Sequence, residues 1–114
     1  MKKLIMLTGV FVLLIAGAVS AHPPSGITVE YDLKTKTVEV YAAHTSKDIT
    51  KHYIDDVFVS VNGVKKITQE SSTQTDDKGQ RVIYIIPELK NGDKITVKAD
   101  CSKFGELSKD IKVK

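Results

Sequence analysis

The chain has 114 residues, with 17 Lys and Arg against 14 Asp and Glu and a formal net charge of +3. No basic block interleaved with aromatics stands out, which argues against nucleic acid as a partner. One cysteine cannot close an intrachain disulfide, so any role for it lies in metal ligation, an intermolecular bridge or simple burial.

Lys2 and Lys3 precede an almost unbroken apolar run from Leu4 to Val19, and Val19-Ser20-Ala21 supplies the small residues of a signal-peptidase site. The expectation is a signal peptide over residues 1–21 and a secreted or periplasmic domain over 22–114, with no stable membrane insertion after cleavage. The run is short for a span of roughly 20 residues, and no stop-transfer charges follow it. No cysteine near the cut offers a site for a lipid anchor. Without this segment the chain loses two lysines and is nearly neutral, and what is left suits one small domain.

From Gly26 the apolar period is two. Ile27, Val29, Tyr31 and Leu33 alternate with polar residues, Lys34-Thr35-Lys36 turns the chain, and Val38, Val40 and Ala42 mark a second strand. A third runs from Tyr53 to Asn62. Its valines, Val57, Val59 and Val61, are out of phase with His52 and Ile54, so a bulge is expected near Asp55-Asp56. Asn62-Gly63 favours a type I′ hairpin turn. Val64 to Gln69 reads as a weak edge strand, Glu70 to Gly79 as an exposed loop without chemistry, and Arg81 to Ile86 as a buried strand apolar on both parities. Leu89 to Asp93 is a turn. Ile95, Val97 and Ala99 mark the next strand, Ser102 to Glu106 interrupts, and Asp110 to Lys114 is the last strand.

Seven short strands with closely spaced turns and no helical period predict an all-β, immunoglobulin-like antiparallel sandwich. A small closed barrel is the alternative.

His44 extends the inward row of the second strand, and Cys101 extends the inward row Ile95, Val97, Ala99. His52 follows His44 across a short loop, and His22 sits on the lead-in His22-Pro23-Pro24-Ser25. If these strand ends share one pole, three imidazoles and a thiolate can meet there as a metal site. Such donors suit iron, copper or zinc rather than magnesium or calcium. Taken singly, a histidine in a β-protein is most often a surface or hydrogen-bonded residue, and a lone cysteine a small buried apolar one.

His44, then His52-Tyr53-Ile54, then Leu89-Lys90-Asn91-Gly92-Asp93, then Cys101-Ser102-Lys103-Phe104-Gly105 resembles the iron-binding domain of superoxide reductases, the desulfoferrodoxin and neelaredoxin group. The resemblance covers most of the chain from His22 onward. It implies an immunoglobulin-like sandwich with a mononuclear non-haem iron. In that family four histidine nitrogens lie in the equatorial plane, a cysteine thiolate is axial and the sixth position is open for superoxide. Carried over, His44, His52 and Cys101 match ligands, and His22 is similar to the family's leading histidine. The family's fourth histidine, three residues after the cysteine, is Phe104 here. The implied activity is reduction of superoxide to hydrogen peroxide with an external electron donor.

Two other readings stand beside it. Cleavage after Ala21 would make His22 the mature N-terminus, whose α-amine and imidazole could chelate copper. A metal-free immunoglobulin-like binding module would leave Cys101 buried and the histidines in loops.

Overall fold

The computed structural model describes residues 22–114, so the expected signal segment, residues 1–21, lies outside the described residues. Seven strands follow in order: β1 (Gly26–Asp32), β2 (Thr37–Ala43), β3 (Ile54–Val61), β4 (Val64–Glu70), β5 (Gly79–Ile85), β6 (Lys94–Cys101) and β7 (Glu106–Lys112). They form two antiparallel sheets, ordered β1-β2-β5 and β4-β3-β6-β7. This is the expected sandwich and not a barrel, with the fourth strand beside the third. Hairpins join β1 to β2, β3 to β4 and β6 to β7, while the connections after β2, β4 and β5 cross between the sheets.

The alternating pattern of the sequence becomes the core. Val38, Val40 and Ala42 of β2 face Val57, Val59, Ile95, Val97 and Ala99 across the sandwich, each no more than 2% exposed. Removing such side chains from water contributes roughly 1.5–3 kcal/mol for each large aliphatic one. Asn62 and Gly63 both have positive φ, 51° and 84°, as a type I′ turn requires. The β3–β6 register shifts between Ile54 and Asp56. Ile54 therefore points inward, although it is out of phase with the valines that follow. The bulge keeps the start of β3 on the core and turns the preceding loop toward the pole where His52 lies.

Three expectations need correction. β5 belongs to a sheet packed on one side only, so one of its faces is open: Val82 is buried while Ile83 and Ile85 are 61% and 68% exposed. The last strand begins at Glu106, because Leu107 and Ile111 pack on the core from a sequence otherwise polar enough to read as a loop. The stretch from Glu70 to Gly79 is not simply exposed. Gln74 within it is 2% exposed.

The outer face of the larger sheet carries like charges side by side. Asp56 pairs in register with Glu70 and with Asp100, and Asp100 pairs with Glu106. Cross-strand like charges are unfavourable. At the bulge, the Asp55 carboxyl is pushed above its ordinary range, first by burial and then by the neighbouring Asp56 charge. Its Oδ1 is buried without a hydrogen-bond partner. The folded state therefore holds this proton more tightly than the unfolded chain does. That stabilising contribution is complete below the unfolded value of 3.8 and is lost as pH rises through the higher folded value. Asp55→Asn should accordingly raise stability at neutral pH by about 0.5–1 kcal/mol. The gain should shrink toward zero in acid, as thermal unfolding across pH would record; an equal gain at all pH values would contradict the electrostatic cause.

Candidate metal centre

Four segments meet at one pole of the sandwich: the lead-in before β1, the β2–β3 crossover, the β4–β5 crossover and the β6–β7 hairpin. The registers require it. Gly26 at the start of β1 lies opposite Ala43 at the end of β2, and Ala43 lies opposite Gly79. In the other sheet Ile54 pairs with Cys101.

His44 follows β2 directly and is 1% exposed. Its Nδ1 lies 2.8 Å from Gln74 Oε1, which also accepts the Ile54 backbone N–H at 3.1 Å. The oxygen of Gln74 therefore faces the ring, and His44 Nδ1 carries the hydrogen. Gln74 Nε2 donates in turn to the carbonyls of His44 and Asp76, at 2.8 and 2.9 Å. One amide thus fixes both the ring and the backbone of His44. Its other nitrogen, Nε2, lies 3.1 Å from the His22 carbonyl oxygen, which must move aside before this nitrogen can hold a metal.

His52 reaches the same place from the far end of the crossover. Asp48 shapes the loop: its carboxylate accepts from Thr50 N and Oγ1, and its carbonyl accepts from the N–H groups of Lys51 and His52. Ser46, itself buried, donates to the His52 carbonyl at 2.6 Å. Burial lowers the His52 pKa from 6.5, and the neighbouring His44, His22 and Lys103 charges lower it further. At neutral pH its imidazole therefore keeps a lone pair.

His22 is held less tightly, its two ring nitrogens each 3.1 Å from a carbonyl oxygen, of Pro23 and of Thr45. The three rings nevertheless pack on one another, with centroids 4.6, 4.7 and 5.1 Å apart. One nitrogen from each lies within 4.8 Å of the others.

Cys101 ends β6 as a free, buried cysteine. Its Sγ lies 3.1 Å from His52 Nε2 and accepts the Lys103 N–H at 3.4 Å. Nitrogen and sulfur bound at right angles to one ion, at about 2.1 and 2.3 Å, would stand about 3.1 Å apart. Cys101 is not in the mutually close set of the three histidines and joins it through His52.

All four residues expected from the sequence thus come to one pole. Phe104 does not join them and is 64% exposed. Sequence reasoning missed Gln74. The only cue was the length of its eight-residue connection, longer than most that link strands. Compared with known protein families, curated proteins and solved structures, the chain has no match.

Gly105 ties two of these segments together. Its φ is +93°, and a Cβ there would stand 2.7 Å from Pro23 Cβ. Gly105→Ala should therefore push the lead-in away from the hairpin and displace His22. The expected cost is about 1–3 kcal/mol in thermal unfolding, with a weaker response to added metal. Wild-type values for both would show that the lead-in is not held by this contact.

Proposed function

We propose that the chain holds one mononuclear iron ion through His22, His44, His52 and Cys101 and reduces superoxide to hydrogen peroxide. The observation that carries this reading is the convergence of three imidazoles and a buried thiol at one pole. Three nitrogens and one sulfur fit a transition metal and not calcium or magnesium, which take oxygen donors. When bound, the iron supplies one-electron redox chemistry at an open coordination position.

The rest falls to the chain itself. Gln74 keeps the hydrogen of His44 on Nδ1 and leaves Nε2 for the centre, the second-shell arrangement usual for ligating histidines. His52 is already neutral at working pH. The Lys103 N–H steadies a thiolate at Cys101. His22 gives up one of its carbonyl contacts to join. A pocket beside His22 and His52 opens the centre to solvent. Reduction takes one superoxide, one electron from an external donor and two protons, and yields one hydrogen peroxide.

The stoichiometry provides the test. Iron-loaded protein with a reductant should form one peroxide for each superoxide and release no dioxygen. Formation of one peroxide per two superoxides, with dioxygen, would mark dismutation. Consumption no faster than with metal-free protein would remove the activity. The reading also holds that residues 1–21 export the chain, and mass spectrometry of the mature protein should find His22 first.

A second reading rests on Phe104. With no fourth histidine ligand, the set is three nitrogens and one sulfur, which copper or zinc satisfies in four-coordinate form. Metal analysis of protein purified without added metal or an affinity tag decides between these ions.

A further inference from the structure

The pocket next to the histidines is too large for a diatomic substrate. Its volume is about 540 Å³, within the range of roughly 300–1,000 Å³ typical of sites for small organic ligands. Its charge is also one-sided. Lys47 and Lys51 come from the β2–β3 crossover and Lys103 from the β6–β7 hairpin, so lysines line the pocket from two separate segments. Asp48 is the carboxylate that lines it, and Thr50 N and Oγ1 occupy one of its oxygens at 3.0 and 2.6 Å. His22 and His52 form the wall toward the proposed centre.

We infer that this pocket binds a small organic anion carrying two or more carboxylates. One carboxylate lies against the imidazole wall, and another lies among Lys47, Lys51 and Lys103. A dicarboxylate is favoured over inorganic phosphate because its two charged groups stand apart and can meet the imidazole wall and the lysines at once, which one compact anion cannot. The inference goes beyond the iron reading, since lysines and pocket belong to the chain without a metal.

The test is titration of metal-free, isotope-labelled protein with succinate, acetate and inorganic phosphate, followed by amide chemical shifts. Succinate should give saturable shifts at Lys47 to His52 and at Lys103. It should bind about tenfold more tightly than acetate, because only the second carboxylate engages the lysines. Lys103→Gln, and Lys47→Gln combined with Lys51→Gln, should each weaken succinate several-fold. Lys34→Gln, in the turn at the opposite pole, should not. Acetate binding as tightly as succinate, phosphate binding more tightly, or equal loss in Lys34→Gln would overturn the inference. Because no metal is present, the iron reading is tested separately. Protein that takes succinate but no iron keeps this inference and loses that one, and the converse result does the opposite.

Discussion

Serine in place of Cys101 should abolish the sulfur-to-iron charge-transfer absorption that the proposed centre predicts for oxidised, iron-loaded wild type. It should also weaken ferrous binding by at least about 100-fold, since even the loss of an outer-shell partner costs about 10–100-fold. Serine is close to cysteine in size and sits at the end of β6, where the backbone N–H of Cys101 bonds to the Gly105 carbonyl whatever the side chain. The fold should survive. What disappears is a polarisable sulfur 3.1 Å from His52 Nε2. A hydroxyl does not ionise near neutral pH and is a poor partner for a soft or borderline metal. An absorption band unchanged in Cys101→Ser would show that the sulfur is not a ligand.

Gln74→Leu should be the most damaging single change outside the four proposed ligands. The side chain is 2% exposed and makes four hydrogen bonds. Leucine fills a comparable volume but strands His44 Nδ1, the Ile54 N–H and the carbonyls of His44 and Asp76. Each buried group left unpaired costs about 1–3 kcal/mol, and relaxation of the crossover recovers part of the sum. The expected loss is about 3–4 kcal/mol, which for a domain of this size lowers Tm by roughly 12–32 °C. Ferrous affinity should fall a further 10–100-fold, roughly, because the His44 ring loses its orientation. Thermal unfolding with and without iron separates the two effects. A variant that unfolds like wild type would mean that Gln74 is not a keystone of this pole.

The contrast between Cys101 and Gln74 shows what a sequence can reveal of such a site. Cys101 and His44 were legible because each extends an alternating strand by one step, and strand parity fixes the facing of a side chain. The bulge at Asp55 was legible for the same reason, from a phase conflict between Ile54 and Val57. Gln74 lies in a connection without periodicity, and its partners His44 and Ile54 are 30 and 20 residues away in the chain. Nothing local marks a glutamine that reaches across a sandwich. Ile83 and Ile85 misled for a related reason: composition suggested burial on both faces, whereas the two-layer packing leaves the outer face of this sheet open. Leu107 was hidden among Glu106, Ser108 and Lys109, and only its packing on the core places the start of β7 there.

These residues form one centre only if a single ion draws on all four side chains. Anaerobic ferrous titration of the mature protein, followed by X-ray absorption at the iron edge, tests that directly. The account predicts saturation at one iron per chain, with one sulfur and at least three imidazole nitrogens in the first coordination shell. Iron that fails to saturate at one per chain, or a first shell without sulfur, would contradict it.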